Sequence, residues 1–244
     1  MDAERFDQAI FSVMENVRER ASIGTFSEKT VHAVLKKYFE PFSDRHETAV
    51  GAFVADIVGE NGIIEIQTKA FQNLQKKLSY FLKEVPVTVV FPVYATKWLT
   101  TISENGIALP RRKSPLKGNI YDVFKELYKI SEAINSPNFR LCIVVLEVEE
   151  FRYEAKKGKR AAFSKGDRVP LKILDEIYFE NISDYGRFFS KSLGEVFTAK
   201  DFAKAAKIPL KSAQFALYSM NKLEFIVKSG KIGNAILYKK AEIF

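Results

Sequence analysis

The chain has 244 residues, 47% of them apolar, and a net charge of +8, which allows a sizeable core and excludes an intrinsically disordered chain. One cysteine and two histidines exclude a disulfide framework, a CxxC zinc site and a multi-histidine metal centre. The start, "MDAERFDQAIFSVMENVRER", is charged from its second residue, and the longest apolar run, "VPVTVVFPVY", is too short to span a bilayer as a helix. A soluble, cytoplasmic protein with no membrane partner is expected.

Taken in chain order, Phe6, Ile10, Val13, Met14 and Val17 recur at helical spacing within residues 2–21. After "IGTF", Ser27 or Thr30 can cap a second helix, with Val31, Val34, Leu35 and Tyr38 as its buried stripe and Pro41 beyond its end. The segment "TAVGAFVADIVGENGIIEIQTKAF" holds two apolar runs around the turn signal "GENG", which reads as a β-hairpin. From Ala70 the period becomes helical, with Phe71, Leu74, Leu78, Phe81 and Leu82, and then "VPVTVVFPVY" reads as a strand. Strand, helix, strand implies a parallel pair with a right-handed crossover.

"ATKWLTTISENGIALPRRKSPLKGN" looks like a loose stretch, followed by a helix, "IYDVFKELYKISEAI", and a buried strand, "FRLCIVVLEVEEF", which contains Cys142 as a small hydrophobe. Residues 152–193 read as a basic, poorly periodic segment, with "KKGKR" and "SKGDR" as turns. In the last fifty residues Thr198 and Asp201 form a capping-box pattern before one helix. Pro209 opens a second helix, "LKSAQFALYSMNKL", expected to bury some of Leu210, Phe215, Leu217 and Leu223, and "EFIVKSGKIGNAILYKKA" is a hairpin with Gly230 and Gly233 near its tip. Helix, helix, hairpin is the winged-helix order. The expected organisation is an α/β domain over 1–150 (a mixed sheet flanked by helices), a basic connecting segment over 151–193, and a small winged-helix domain over 194–244.

Charge and chemistry are unevenly distributed. Residues 1–150 balance to −1 and residues 151–244 to +9, so a polyanion is the expected partner of the C-terminal part. Asp56 and Glu65 are acids inside apolar, strand-like runs on either side of "GENG". Alternation puts Glu65, Gln67 and Lys69 on one face of their strand. Two carboxylates on adjacent strands can hold one Mg²⁺ or Mn²⁺, with the backbone carbonyl of Ile66 as a further oxygen donor. The duller reading is a pair of solvated acids on the open face of a hairpin.

Asp56 followed by Glu65-Ile66-Gln67, with a helix before and a helix and strand after, resembles the PD-(D/E)XK nuclease superfamily, which includes restriction endonucleases. The resemblance covers residues 25–95 best and 96–150 weakly. It implies a restriction endonuclease-like core that hydrolyses DNA phosphodiester bonds with Mg²⁺ and leaves a 5′-phosphate. Asp56 and Glu65 would be metal ligands, and Gln67 stands where the family usually has lysine. Lys69, about 6–7 Å along the same face, is a substitute cation on this reading. Family members often add a glutamate from the preceding helix, for which Glu28 is the first candidate, then His32 and Glu47. In the C-terminal domain, Lys211, Ser212 and Gln214, with Ser219 and Asn221, would meet phosphate or base edges, and Lys228 and Lys231 on the wing would touch backbone. The basic run "RRKSPLKG" is a further candidate for gripping substrate. Cutting both strands of a duplex calls for two sites, which a homodimer would supply. The alternative, supported by Gln67, is a catalytically inactive DNA-binding protein on a nuclease-like core.

Overall fold

A computed structural model of the chain describes residues 1–20, 29–154 and 163–242. It opens with helix α1 (Ala3–Arg20), which packs on α2 (Lys29–Phe39). Phe6, Ala9 and Val13 of α1 and Val31, Val34, Leu35 and Tyr38 of α2 are buried, the α2 stripe that its spacing predicts. Asp2 caps α1 by accepting the Arg5 N–H (3.0 Å). Thr30, one of the expected cap residues, lies inside α2, buried, where its hydroxyl donates to Asp167; Ser27 lies outside the described residues.

Strands β1 (His46–Val50), β2 (Phe53–Gly59) and β3 (Gly62–Ile66) form an antiparallel meander. One hairpin was the expectation; there are two, because Gly51 breaks the first apolar run. Its φ is +59°, which favours glycine, and a Cβ there would stand 2.2 Å from the Tyr80 hydroxyl, so any other residue would be strained and would have to push the Tyr80 ring aside. Gly62 closes the second turn at φ +116°, where a Cβ would meet the Pro86 carbonyl oxygen at 2.2 Å.

A tight turn over Phe71–Leu74 leads into α3 (Gln75–Phe81), and β4 (Val87–Ile102) then runs parallel to β3. β4 continues through "ATKWLTTI", which sequence reading leaves as a loose stretch. Alternating Thr, Trp and Leu suit a pleated strand, and β5 (Arg112–Lys113) and β6 pair with it on its two sides. The expected long helix over 120–134 is instead a chain of short turns, including α4 (Phe124–Leu127) and α5 (Ser131–Ile134). β6 (Phe139–Glu154) is parallel to β4, and β7 (Phe163–Phe179) is antiparallel to β6.

β7 corrects the expected connecting segment. "SKGDR" is strand, with register shifts against β6 absorbing Gly166 and Asp167, and Pro170 is tolerated because β7 is the last strand of the sheet. "KKGKR" lies outside the described residues. The sheet order is β1-β2-β3-β4-β6-β7, with β5 beside β4. It is a large mixed sheet with helices on both faces. One face packs α1 and α2 over Ile57, Ile66, Val90, Val144 and Leu146, and the other packs α3, α4 and α5 over Ile63, Val89, Phe91 and Ile143.

The chain ends in β8 (Val196–Phe197), α6 (Ala199–Ala206), α7 (Leu210–Lys222), β9 (Ile226–Ile232) and β10 (Ala235–Lys240), with the three strands ordered β8-β10-β9. The capping box is present: the Thr198 N–H donates to Asp201 (2.9 Å) and the Asp201 N–H to Thr198 Oγ1 (3.3 Å). Of the residues expected in the α7 core, Leu217 and Leu223 are buried, joined by Ala213, Ala216 and Met220, whereas Leu210 and Phe215 face outward. This unit shares one apolar cluster with the second face of the sheet: Phe124, Leu127, Phe179 and Phe188 are continuous with Phe202, Leu217 and Phe225. Among the described residues no helix is long and apolar enough to cross a membrane.

Candidate active site

The ladder between β2 and β3 ends at the pair Ile57 and Ile64. One residue further, where backbone pairing stops, the side chains of Asp56 and Glu65 take over. The Ile66 N–H donates to Asp56 Oδ2 (2.8 Å), and the Asp56 N–H donates to Glu65 Oε1 (3.3 Å). β3 is held on its other side by β4, where the Gln67 N–H donates to the Val90 carbonyl (2.9 Å). The two carboxylates therefore sit side by side at the point where two strands part, a position fixed by the "GENG" turn and the strand alternation.

One helix from each layer reaches this point. From α2, His32 Nε2 lies 3.2 Å from Asp56 Oδ2. From α3, Lys77 Nζ donates to Glu65 Oε2 at 2.6 Å, with the Glu65 side chain only 2% exposed. Burial disfavours charge on Asp56, but the His32 contact, the Ile66 N–H and Lys77 together outweigh it and hold the Asp56 pKa below its usual value. Glu65 behaves oppositely. Burial and the neighbouring Asp56 charge push its pKa up to about 7 against the opposing pull of Lys77. Two adjacent carboxyls with pKa values driven apart are characteristic of functional sites.

The other expected site residues are placed as follows. Ile66 is buried in the α1–α2 layer, so only its backbone borders the carboxylates. Gln67 is half-buried, and its side-chain amide donates to the Lys69 carbonyl (2.6 Å). Lys69 does not share the strand face. β3 stops at Ile66, and the chain bends through residues 67–70 into Ala70 at φ +60°, which takes Lys69 off the pleat and onto the exposed surface. Glu47 turns to Lys36 (2.7 Å) and is 72% exposed. Glu28 lies outside the described residues. Arg112 and Lys113 of the basic run form β5 beside Trp98 and Leu99, well along β4 from Val90, and Arg111 stacks on the Trp98 ring at 4.4 Å.

Sequence reading missed Lys77. Its signal is helix phase: with Leu74, Leu78 and Phe81 inward, Lys77 flanks the buried stripe while Lys76 points away. Among the described residues no cluster of three or more His, Cys, Asp or Glu side chains could hold a metal ion. The donor set is two carboxylates and the Ile66 carbonyl. That fits Mg²⁺, which is bound by one or two carboxylates and keeps several waters, better than metals that want a full protein cage. Asp56 Oδ1 has no hydrogen-bond partner among the described residues, which leaves it open to a cation.

On the C-terminal unit, Lys211 and Gln214 are exposed on α7, Ser212 is half-buried, and Lys228 and Lys231 are exposed on β9. Two further polar residues have structural places instead. Ser219 is fully buried, and Asn221 donates its amide to the Ile226 carbonyl (3.3 Å).

A family described as a domain of unknown function (DUF8091) matches residues 29–180, well over half of the chain. That span runs from α2 to the end of β7 and includes every side chain of the carboxylate site. The chain is also similar to an uncharacterized protein of Treponema pallidum (strain Nichols), 27% identical over 223 residues, covering 90% of this chain and 88% of that one. No solved structure matches it.

Proposed function

The chain belongs to the DUF8091 family, and we propose that it is a Mg²⁺-dependent nuclease with a PD-(D/E)XK-like core and a C-terminal winged helix that docks DNA. The observation that carries this reading is the Asp56–Glu65 pair, side by side where β2 and β3 separate. The order helix, three antiparallel strands, helix, parallel strand around it supports a restriction endonuclease-like arrangement. The order of β8, α6, α7, β9 and β10 supports a winged helix.

Roles follow from position. Asp56 and Glu65 are the cation ligands, with the Ile66 carbonyl beside them. A divalent cation held there supplies a Lewis acid that makes water a better nucleophile and neutralises charge on a phosphate oxygen. Lys77 is a positioning residue: it favours the ionised form of Glu65 and supplies, from α3, the positive charge that Gln67 lacks on β3. His32 orients Asp56. Lys228 and Lys231 reach for the phosphate backbone.

The test is cleavage of supercoiled plasmid with Mg²⁺ or Mn²⁺, beside Asp56→Ala and Glu65→Ala proteins that still fold. Metal-dependent nicking by the wild type, abolished in both variants, is the expected result. A second reading, DNA binding without turnover, is favoured by Gln67 alone. It gains if the wild type binds DNA yet leaves plasmid, branched and single-stranded substrates intact with either metal.

A further inference from the structure

The outward face of α7 carries exposed aromatic rings among its polar residues, which base-edge reading alone does not require. The buried residues of α7 are Ala213, Ala216, Leu217, Ser219 and Met220. The opposite side centres on Tyr218, 53% exposed, with Phe215 at 37%. Tyr128, from the turn that follows α4, brings a third ring to the same place. The centroid separations Tyr128–Phe215, Tyr128–Tyr218 and Phe215–Tyr218 are each 6.2 Å. A seam whose purpose was to close α7 against the sheet layer would bury Tyr218, and it does not.

Positive charge surrounds these rings. Lys222 Nζ lies 6.0 Å from the centre of the Tyr218 ring, and Lys211 is exposed on the same helix. Among the described residues, neither has a carboxylate within ion-pair distance. The rings are also tied to the carboxylate site. Gln75, two residues before Lys77, donates its amide to the carbonyl of Lys129, next to Tyr128 (2.6 Å). Glu126, paired with Lys129 (2.9 Å), accepts the Phe71 N–H (3.0 Å). The helix that carries Lys77 to Glu65 and the turn that carries Tyr128 are thus hydrogen-bonded to each other.

Two exposed rings, Tyr218 and Phe215, with the half-buried Tyr128 beside them and lysines around them that have no ion-pair partner among the described residues, suit nucleic acid whose bases are out of the duplex. Any base can stack on a ring, whereas the bases of intact duplex offer only their edges. We propose that Tyr218, Phe215 and Tyr128 form a stacking platform for unpaired bases of a DNA substrate, with Lys211 and Lys222 gripping the adjoining phosphates. This rests on the nuclease reading for its biological sense, but it concerns binding alone. The substrate class it names is DNA with single-stranded or frayed segments.

The experiment is fluorescence anisotropy of the full chain in EDTA with labelled oligo(dT), a duplex of equal length and oligo(rU). The expected result is tighter binding of oligo(dT) than of duplex. Tyr218→Ala weakens oligo(dT) binding about tenfold and duplex binding by less than about twofold, while Tyr218→Phe keeps the wild-type affinity. Equal affinity for duplex and single strand, tighter binding of oligo(rU), or a Tyr218→Ala protein that binds oligo(dT) normally would each overturn the proposal. Should Tyr218→Ala fail to fold by circular dichroism, Phe215→Ala carries the same test. Because EDTA removes turnover, the two readings fail separately. Binding of unpaired DNA without any metal-dependent cleavage sinks the nuclease alone, and nicking by a protein indifferent to strand state sinks this inference alone.

Discussion

Replacing Lys77 with methionine tests the proposal that a cation on a helix takes the part given to a strand lysine in PD-(D/E)XK nucleases. The substitution keeps the length of the side chain and removes its charge. Lys77 Nζ is 2.6 Å from Glu65 Oε2, and both side chains are largely shielded from water. A cation so placed lowers a carboxyl pKa by about 1–3 pH units. Glu65 titrates at about 7 with Lys77 present, so the loss moves its midpoint up by roughly that interval. At pH 7 the ionised fraction then drops from about one half to below roughly one tenth. The assay is a ¹³C titration of the Glu65 carboxyl in the metal-free protein, together with a pH profile of plasmid nicking. The variant's profile should shift to higher pH and regain part of its activity in alkaline buffer, which a merely structural defect would not produce. Adding Gln67→Lys to the Lys77→Met protein should bring both midpoints back towards the wild type. An unmoved Glu65 midpoint would refute the assignment.

Two further outcomes are expected. Glu150 is 1% exposed and receives Arg152, Arg168 and Lys97 at 2.7, 3.0 and 3.2 Å. Burial alone would raise its pKa, but these cations pull it down to about 2. A depressed carboxyl stabilises the fold above its unfolded pKa near 4.5 and loses that contribution as pH falls towards 2, an interval worth about 3 kcal/mol. Glu150→Gln should therefore lower urea stability by about 3 kcal/mol at pH 7, with the gap narrowing below pH 4; a gap constant with pH would refute the linkage. Removing Lys228 and Lys231 together should reduce the slope of log Kd against log salt for duplex DNA by about 2. An unchanged slope would take the β9–β10 hairpin out of the interface.

Strand alternation and one turn signal were enough to bring Asp56 and Glu65 together, because both act locally: the period is two, and "GENG" fixes the register of the strands it joins. The α2 stripe and the Thr198–Asp201 cap were legible for the same reason. Sequence reading failed where a distant partner overrode a local signal. "SKGDR" carries the marks of a turn, yet β6 pairs with it, and Gly166 is there because a Cβ would meet the Tyr153 ring at 2.7 Å and the Phe151 carbonyl at 3.0 Å. Alternation carried on through "IIEIQTKAF" puts Lys69 on the strand face, but β3 ends at Ile66 and the chain has to leave the sheet there to begin the crossover to β4. Lys77 was hidden because its partner lies across that crossover.

The C-terminal excess of positive charge also needs dividing before it can be attributed to a nucleic acid. Part of it is internal: Arg152 and Arg168 neutralise the buried Glu150, Arg187 pairs with Asp184 (3.1 Å), and Lys239 pairs with Glu195 (3.1 Å). Among the described residues, the outward-facing cations without such partners include Lys211 and Lys222 on α7 and Lys228 and Lys231 on β9. Of the C-terminal excess, then, the charge available to a polyanion and the exposed rings beside it lie on the C-terminal unit, with Arg112 and Lys113 exposed on β5 as a separate basic patch, while the carboxylates lie at the parting of β2 and β3. On the proposed nuclease reading, a substrate held by the first and cut at the second would span both, and their spacing would have to be fixed. Two loosely tethered domains would not fix it. The shared aromatic cluster does, because Phe124 and Phe188, 4.7 Å apart, belong to the same buried core as Leu217 and Phe225, and the units cannot swing apart without exposing it.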